Sequence, residues 1–319
     1  MAQITSTPGD GCFAGNPVVY LVESATYNKA VFQKLRIVVT VTDGTNEGEF
    51  EFSQPVNGQE TVQFDISPAL CAILEKHQYA ADTLSGYPTL THKVKPFDDY
   101  LVDGEEKHVA GTESETYTAY AGGLTDRERL TNARPTKYSR KPTASPEIVH
   151  VGKTLIVAGA FGEAPSVTSV EITSQTAATA TYYPIAAPVD SYEMRFINSL
   201  GVHESIHVAC LPITETHIQT EEYVIAKQET LTQFSRGITR KQNDQEHWKM
   251  SSGPLDRAWQ QWYLHEVLMS EQAWIKIDGV WLPVHIVPEE TATGVDRTKA
   301  DALTVEFTIR FDINGSPFA

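Results

Sequence analysis

Val305, Phe307, Ile309, Phe311 and Ile313 alternate without exception with Thr304, Glu306, Thr308, Arg310 and Asp312. A period of two sends one set to each face of a β-strand, so this segment reads as a strand with one buried and one wet face. The same period constrains most of the chain. Runs at 18–22, 35–41, 49–52 and 62–66 are rich in Val, Ile, Thr and Phe and are separated by turn pairs such as Asp43-Gly44 and Asn57-Gly58. Further runs lie at 117–120, 153–158, 167–173, 179–184, 192–197, 205–211 and 222–225. Short strands at this spacing predict a mainly β fold, antiparallel and sandwich-like, with few helices.

Two helices interrupt the strands. Ser67 is the expected N-cap of the first, Pro68 suits its first position, and Leu70, Ile73, Leu74 and His77 share a side. Gly253-Pro254 opens the second, whose residues Leu255, Ala258, Trp259, Trp262 and Tyr263 form an aromatic stripe reaching about Met269. A hairpin follows: 274–277, the turn Asp278-Gly279, then 280–287, with Pro283 assigning the second strand to an edge or bulge. The helix is expected to cover a sheet made of this hairpin and the 304–313 strand.

Between 97 and 146 the alternation gives way to charge. Asp98, Asp99, Asp103, Glu105 and Glu106, with Glu113 and Glu115, make an acidic stretch. Arg127, Arg129, Arg134, Lys137, Arg140 and Lys141 make a basic one that Pro135, Pro142 and Pro146 stiffen. A long unpatterned stretch in a folded protein is usually functional or mobile. The expected organisation is therefore two-domain: a β-sandwich-like domain at 1–96, a charged extended loop or arm at 97–146, and a C-terminal α+β domain at 147–319 with one packed helix and a hairpin. The arm's opposite charges make Asp98, Asp99, Asp103, Glu105 and Glu106 on one side, and Arg127, Arg129, Arg134, Lys137, Arg140 and Lys141 on the other, candidate contacts between subunits.

Composition narrows the function classes. With 319 residues the chain can bury a large core without a disulfide or metal. A net charge of -16 opposes binding to a polyanion, so no nucleic-acid partner is expected. The first residues lack a basic and apolar leader, and no apolar run is long enough for a membrane helix, so neither secretion by a signal peptide nor a membrane role is expected. Cys12, Cys71 and Cys210 are scattered and odd in number, which fits reduced thiols made in a cytoplasm.

One motif carries a chemical suggestion. His203-Glu204-Ser205-Ile206-His207 matches HExxH, the zinc-protease pattern, which needs both histidines on one helix face. Here Gly201 precedes it, Pro212 follows it, and the residues alternate at the strand period. On a strand the two histidines would lie about 13 Å apart, too far to share a zinc. No nucleophile elbow, phosphate loop or dinucleotide fingerprint is present. No catalytic, metal-binding or cofactor-binding residue is expected, and the protein is expected not to be an enzyme.

Four stretches together resemble structural tail proteins of tailed bacteriophages and prophages of gut Bacteroidetes: CFAGNPVVYLV (12–22), FDISPAL (64–70), YEMRFINSLGVHESI (192–206) and WIKIDGVWLPVHI (274–286). The resemblance implies a virion protein of the tail tip, baseplate or distal tail ring, made in the bacterial cytoplasm. It would form a homo-oligomeric ring and join the tail tube to host-recognition components. A carbohydrate-binding module at the tail tip, with a host glycan as partner, is the second reading. A hydrolase using an unidentified carboxylate pair is the third.

Overall fold

The computed structural model describes residues 1–25, 32–56, 61–131, 133–162, 164–176, 179, 181–226, 236–287 and 304–311, with 212–226 and 236–246 described through their backbone. Strands dominate and helices are few, as the alternating patterns predict. The chain divides into two compact units.

Unit 1 comprises Met1–Ser139, Ala158–Val167 and Ser199–Val202. One antiparallel sheet joins β1 (Gln3–Ser6), β3 (Val19–Glu23) and β6 (Thr61–Asp65). A second runs in the order β2-β9-β7-β4-β5, from β2 (Cys12–Phe13), β4 (Phe32–Thr42), β5 (Glu47–Pro55), β7 (Thr89–Val102) and β9 (Tyr117–Tyr120), and β8 (Glu105–Ala110) adds to β7. Tyr20, Val22 and Phe64 from the first sheet and Leu35, Ile37, Val39, Val41, Leu90 and Val94 from the second are buried in one cluster. Two sheets sharing one apolar core are the sandwich-like arrangement expected from alternation. Helix α1 (Ser67–Leu74) adds Ala69, Leu70 and Ile73 to that core. Its N-cap is Ile66 and not Ser67, and the Asp65 carboxylate accepts the Ser67 N–H at 3.0 Å. The helix also stops at Leu74, before His77. The turn expected at Asn57-Gly58 lies outside the described residues.

Within the segment expected to be an arm, 97–110 is a β-hairpin. Residues 97–102 complete β7, and the turn Asp103-Gly104 returns the chain into β8, paired from Phe97↔Ala110 to Val102↔Glu105. Asp103 and Gly104 have φ of 54° and 83°, the positive values a type I′ hairpin turn needs. The basic stretch includes a short helix, α2 (Asp126–Thr131). The expected boundaries at 96 and 146 are thus replaced by a unit that keeps the chain from Met1 through Ser139.

Unit 2 comprises Arg140–Val157, Thr168–Asn198 and His203–Ala319. A parallel pair joins β10 (Glu147–His150) to β13 (Tyr182–Ile185), and β11 (Thr154–Ala158) pairs with β12 (Val167–Glu171). A closed barrel follows in the order β14-β15-β16-β19-β18-β17. Its strands are β14 (Ser191–Ile197), β15 (His203–Ala226), β16 (Arg236–Ser251), β17 (Ala273–Ile277), β18 (Val280–Val287) and β19 (Glu306–Phe311). Closure removes the sheet edges that an open sheet would expose. The β17–β18 hairpin turns at Asp278-Gly279, with φ of 48° and 85°, as its sequence predicts.

The expected second helix is present as α3 (Arg257–Trp262), continued by a π-turn over Tyr263–Val267. Asp256 caps it by accepting the Trp259 N–H at 2.9 Å. Trp259, Trp262, Tyr263 and Val267 share a buried cluster with Phe307, Ile309 and Phe311 of β19 and with Ile275 and Val284 of the hairpin. The helix, the hairpin and the last strand therefore do share one core. Ile313 lies outside the described residues.

Candidate assembly site

The HExxH residues open β15 and are extended, as their alternation predicts. Ile206 and Val208 face the barrel core with Met194 and Phe196, while Ser205, His207, Glu193 and Arg195 are buried on the opposite face. There Glu193, Ser205 and His207 bind the backbone of β10 and β11. The Ser205 hydroxyl accepts the Ile156 N–H at 2.8 Å, and the Glu193 carboxylate accepts the Thr154 N–H at 3.2 Å. His207 Nδ1 accepts the His150 N–H at 2.8 Å, and its Nε2 donates to the Thr154 carbonyl at 3.0 Å. Both ring nitrogens are thus engaged. Burial pulls His207 down to about 3, despite the Thr154 contact favouring the charged form, so the ring is neutral at physiological pH. The His203 ring lies 5.6 Å from the Trp274 ring. The motif is a structural strand, and among the described residues no His, Cys, Asp and Glu grouping suits a metal ion.

The charged residues offered as subunit contacts fall into three environments. Asp98 and Asp99 are buried in β7. Asp99 accepts from Arg36 Nε at 2.8 Å and meets His108 Nδ1 at 2.8 Å. Burial raises its pKa, but the Arg36 and His108 contacts outweigh that and hold it below the usual carboxylate range. Asp98 meets Gln33 Nε2 at 3.3 Å. These two carboxylates serve the sandwich and are not presented to a neighbour. Asp103, Glu105 and Glu106 are exposed at the β7–β8 hairpin, with Glu105 paired to Lys107 at 2.5 Å and Glu106 to Lys34 at 3.9 Å.

Arg127, Arg129, Arg134 and Lys137 are exposed in unit 1, with Arg129 against Asp126 at 3.3 Å. Arg140 and Lys141 belong to unit 2 and are spoken for. Arg140 meets buried Glu266 at 3.3 Å, and Lys141 binds Glu147 at 2.8 Å and the Ser205 carbonyl at 2.9 Å. The acidic and basic stretches are therefore not two ends of one arm.

The projecting element lies elsewhere. β14 accompanies β15 only through Ala209, and β19 accompanies β16 only over His247–Ser251. Beyond those points, among the described residues, β15 and β16 pair only with each other, as far as Ala226↔Arg236. Among the described residues no third strand flanks either outer edge. About 11 residues per strand, 216–226 against 236–246, at about 3.3 Å each give a two-stranded ribbon of about 36 Å. Register shifts at Cys210/Thr214, His217/Ile218 and Val224/Ala226 mark bulges, which increase twist. Pro212, expected to end the strand, sits at the first of these shifts, where a missing N–H is tolerated. The ribbon's two strands also differ in charge. Residues 211–226 carry Glu215, Glu221 and Glu222 and no Lys or Arg, whereas 236–246 carry Arg236, Arg240 and Lys241 beside Asp244 and Glu246.

An isolated two-stranded ribbon is marginal in water, and unpaired N–H and C=O rows are templates for another chain. A ribbon whose outer edges carry no third strand among the described residues can add one at either side, and can do so by pairing with its own kind.

No protein-family model, no curated protein and no solved structure matches this chain. Among the described residues no helix is long and apolar enough to cross a membrane.

Proposed function

We propose that this chain is a structural virion protein of a phage tail, of the tail-tip, baseplate or distal-ring kind, and that the β15–β16 ribbon is its self-association element. The observation that carries this reading is the ribbon itself: a long two-stranded extension of a closed barrel, with both outer edges unpaired among the described residues. Repetition of one edge-to-edge contact between copies gives a heterologous interface, which closes into a ring when the rotation permits. The sequence resemblance to tail proteins supplies the setting, and a ring joining tail components is the assembly that suits it.

A sugar platform has less support, because Trp248, Trp262 and Trp274 are core residues and Trp281 lies under the Arg195 guanidinium at 4.2 Å. Light scattering on the purified chain tests the proposal. The expected result is a mass that is a multiple of 35.3 kDa and falls to the monomer when 212–246 is replaced by a two-residue Asp-Gly turn. A monomer at every concentration of the intact chain overturns it.

A further inference from the structure

Unit 2 holds a cavity of about 380 Å3, within the usual range for small-molecule sites. Trp259 and Tyr263 form its buried lining, and Leu255 lies beside them at the start of α3. Tyr183 of β13 and Ile148 of β10 are register partners that also line it, and they stand 54% and 38% exposed. These two side chains extend the cavity's apolar wall to the surface, where a ligand can reach it.

The charge at this cavity has one sign. Asp256 and Glu147 line it, and among the described residues no Lys, Arg or His does. Glu147 is already neutralised by Lys141 at 2.8 Å. Asp256 accepts hydrogen bonds from the Ser145 hydroxyl and the Trp259 N–H, with no basic partner among the described residues. The Ala258 N–H is a third donor to the same carboxylate, and these three neutral donors leave its negative charge in place.

We propose that this cavity binds a small soluble molecule carrying a methylated ammonium group, held among Tyr183, Trp259 and Tyr263 with Asp256 as its counter-charge. Aromatic rings attract a cation through the negative potential of their faces, and quaternary ammonium ligands are recognised in this way. Methylation matters because a mostly apolar lining cannot replace the water lost by a primary ammonium's N–H groups. A sugar ring fits less well, since it would leave most of its hydroxyls without partners.

Titration of the full chain with choline chloride, read by tryptophan fluorescence and NMR, tests the site against the uncharged isostere 3,3-dimethyl-1-butanol. The expected result is saturable choline binding, at least about tenfold tighter than the isostere. Asp256→Asn keeps a helix-capping side chain and removes the charge, and is expected to weaken choline about tenfold while leaving the isostere unchanged. Tyr183→Ala, at an exposed position, is expected to weaken choline without altering the melting temperature, and serves alone if Asp256→Asn fails to fold. Equal binding of choline and isostere, or no saturation by choline, overturns the proposal. Binding to phosphatidylcholine vesicles without binding to free choline overturns it too, in favour of a lipid surface.

Discussion

His207 Nδ1 accepts the backbone N–H of His150 at 2.8 Å, joining β15 to β10 through a side chain instead of a sheet ladder. With Nε2 donating to Thr154, a residue of the HExxH pattern becomes a bracket for two other strands. His207→Ala is expected to strand a buried N–H and a buried carbonyl, at a cost of about 1–3 kcal/mol for each group left unsatisfied. Urea unfolding measures this, and zinc analysis of the unmodified protein is expected to find no stoichiometric metal. Zinc bound at one equivalent and lost in the alanine variant would contradict the bracket.

Three buried histidines give the fold an acid limit. Burial lowers His92 and His150 to about 4 and His207 to about 3. In each case the folded pKa lies below the unfolded value of about 6.5, so the unfolded chain takes up protons first as pH falls. Their contribution is fully present above about pH 6.5 and is lost progressively toward pH 4 and then 3. The melting temperature is therefore expected to fall steadily below pH 6.5. His92 in unit 1 has no hydrogen-bond partner on either ring nitrogen among the described residues and sits edge-on to Tyr20 at 6.0 Å. His92→Phe should flatten that slope, and an unchanged slope would remove His92 from the account.

Trp262 is 4% exposed and contacts Phe196, Trp259 and Tyr263 at ring separations of 5.8, 5.3 and 5.3 Å. Trp262→Ala is expected to cost about 3–5 kcal/mol, because a close-packed barrel core cannot collapse into so large a void. A loss below about 1 kcal/mol in denaturant unfolding would place the side chain outside the core.

Arg140 and Arg134 belong to the same basic stretch but predict opposite outcomes. Arg140→Glu sets a second carboxylate against Glu266, which is 5% exposed, and is expected to destabilise by about 3–5 kcal/mol. Arg134 is exposed, so Arg134→Glu should shift stability by less than about 0.5 kcal/mol. Circular-dichroism melts of the two variants separate these cases, and equal melts would refute the Arg140–Glu266 pair.

Local patterning was sufficient wherever a strand had one wet face or a turn had special chemistry. The alternation in β19, the Asp278-Gly279 hairpin and the aromatic stripe of α3 needed no tertiary information, because each follows from a period or a positive φ. The Asp103-Gly104 turn carries the same signal after Tyr100-Leu101-Val102, but the surrounding run of charge obscures the strand period there.

Tertiary structure decided which charges are buried, because burial belongs to the partner and not to the residue. Asp99 is 1% exposed on account of Arg36, far away in sequence on β4, and Arg140 is fixed by Glu266 just after α3. Closure of the barrel and extension of the β15–β16 ribbon are likewise beyond a local period. A pattern of two says that a segment is a strand and which residues share a face, whereas strand order and the point where a third strand stops are set by long-range pairing, whose loop-closure cost and reward appear only when the whole chain is folded.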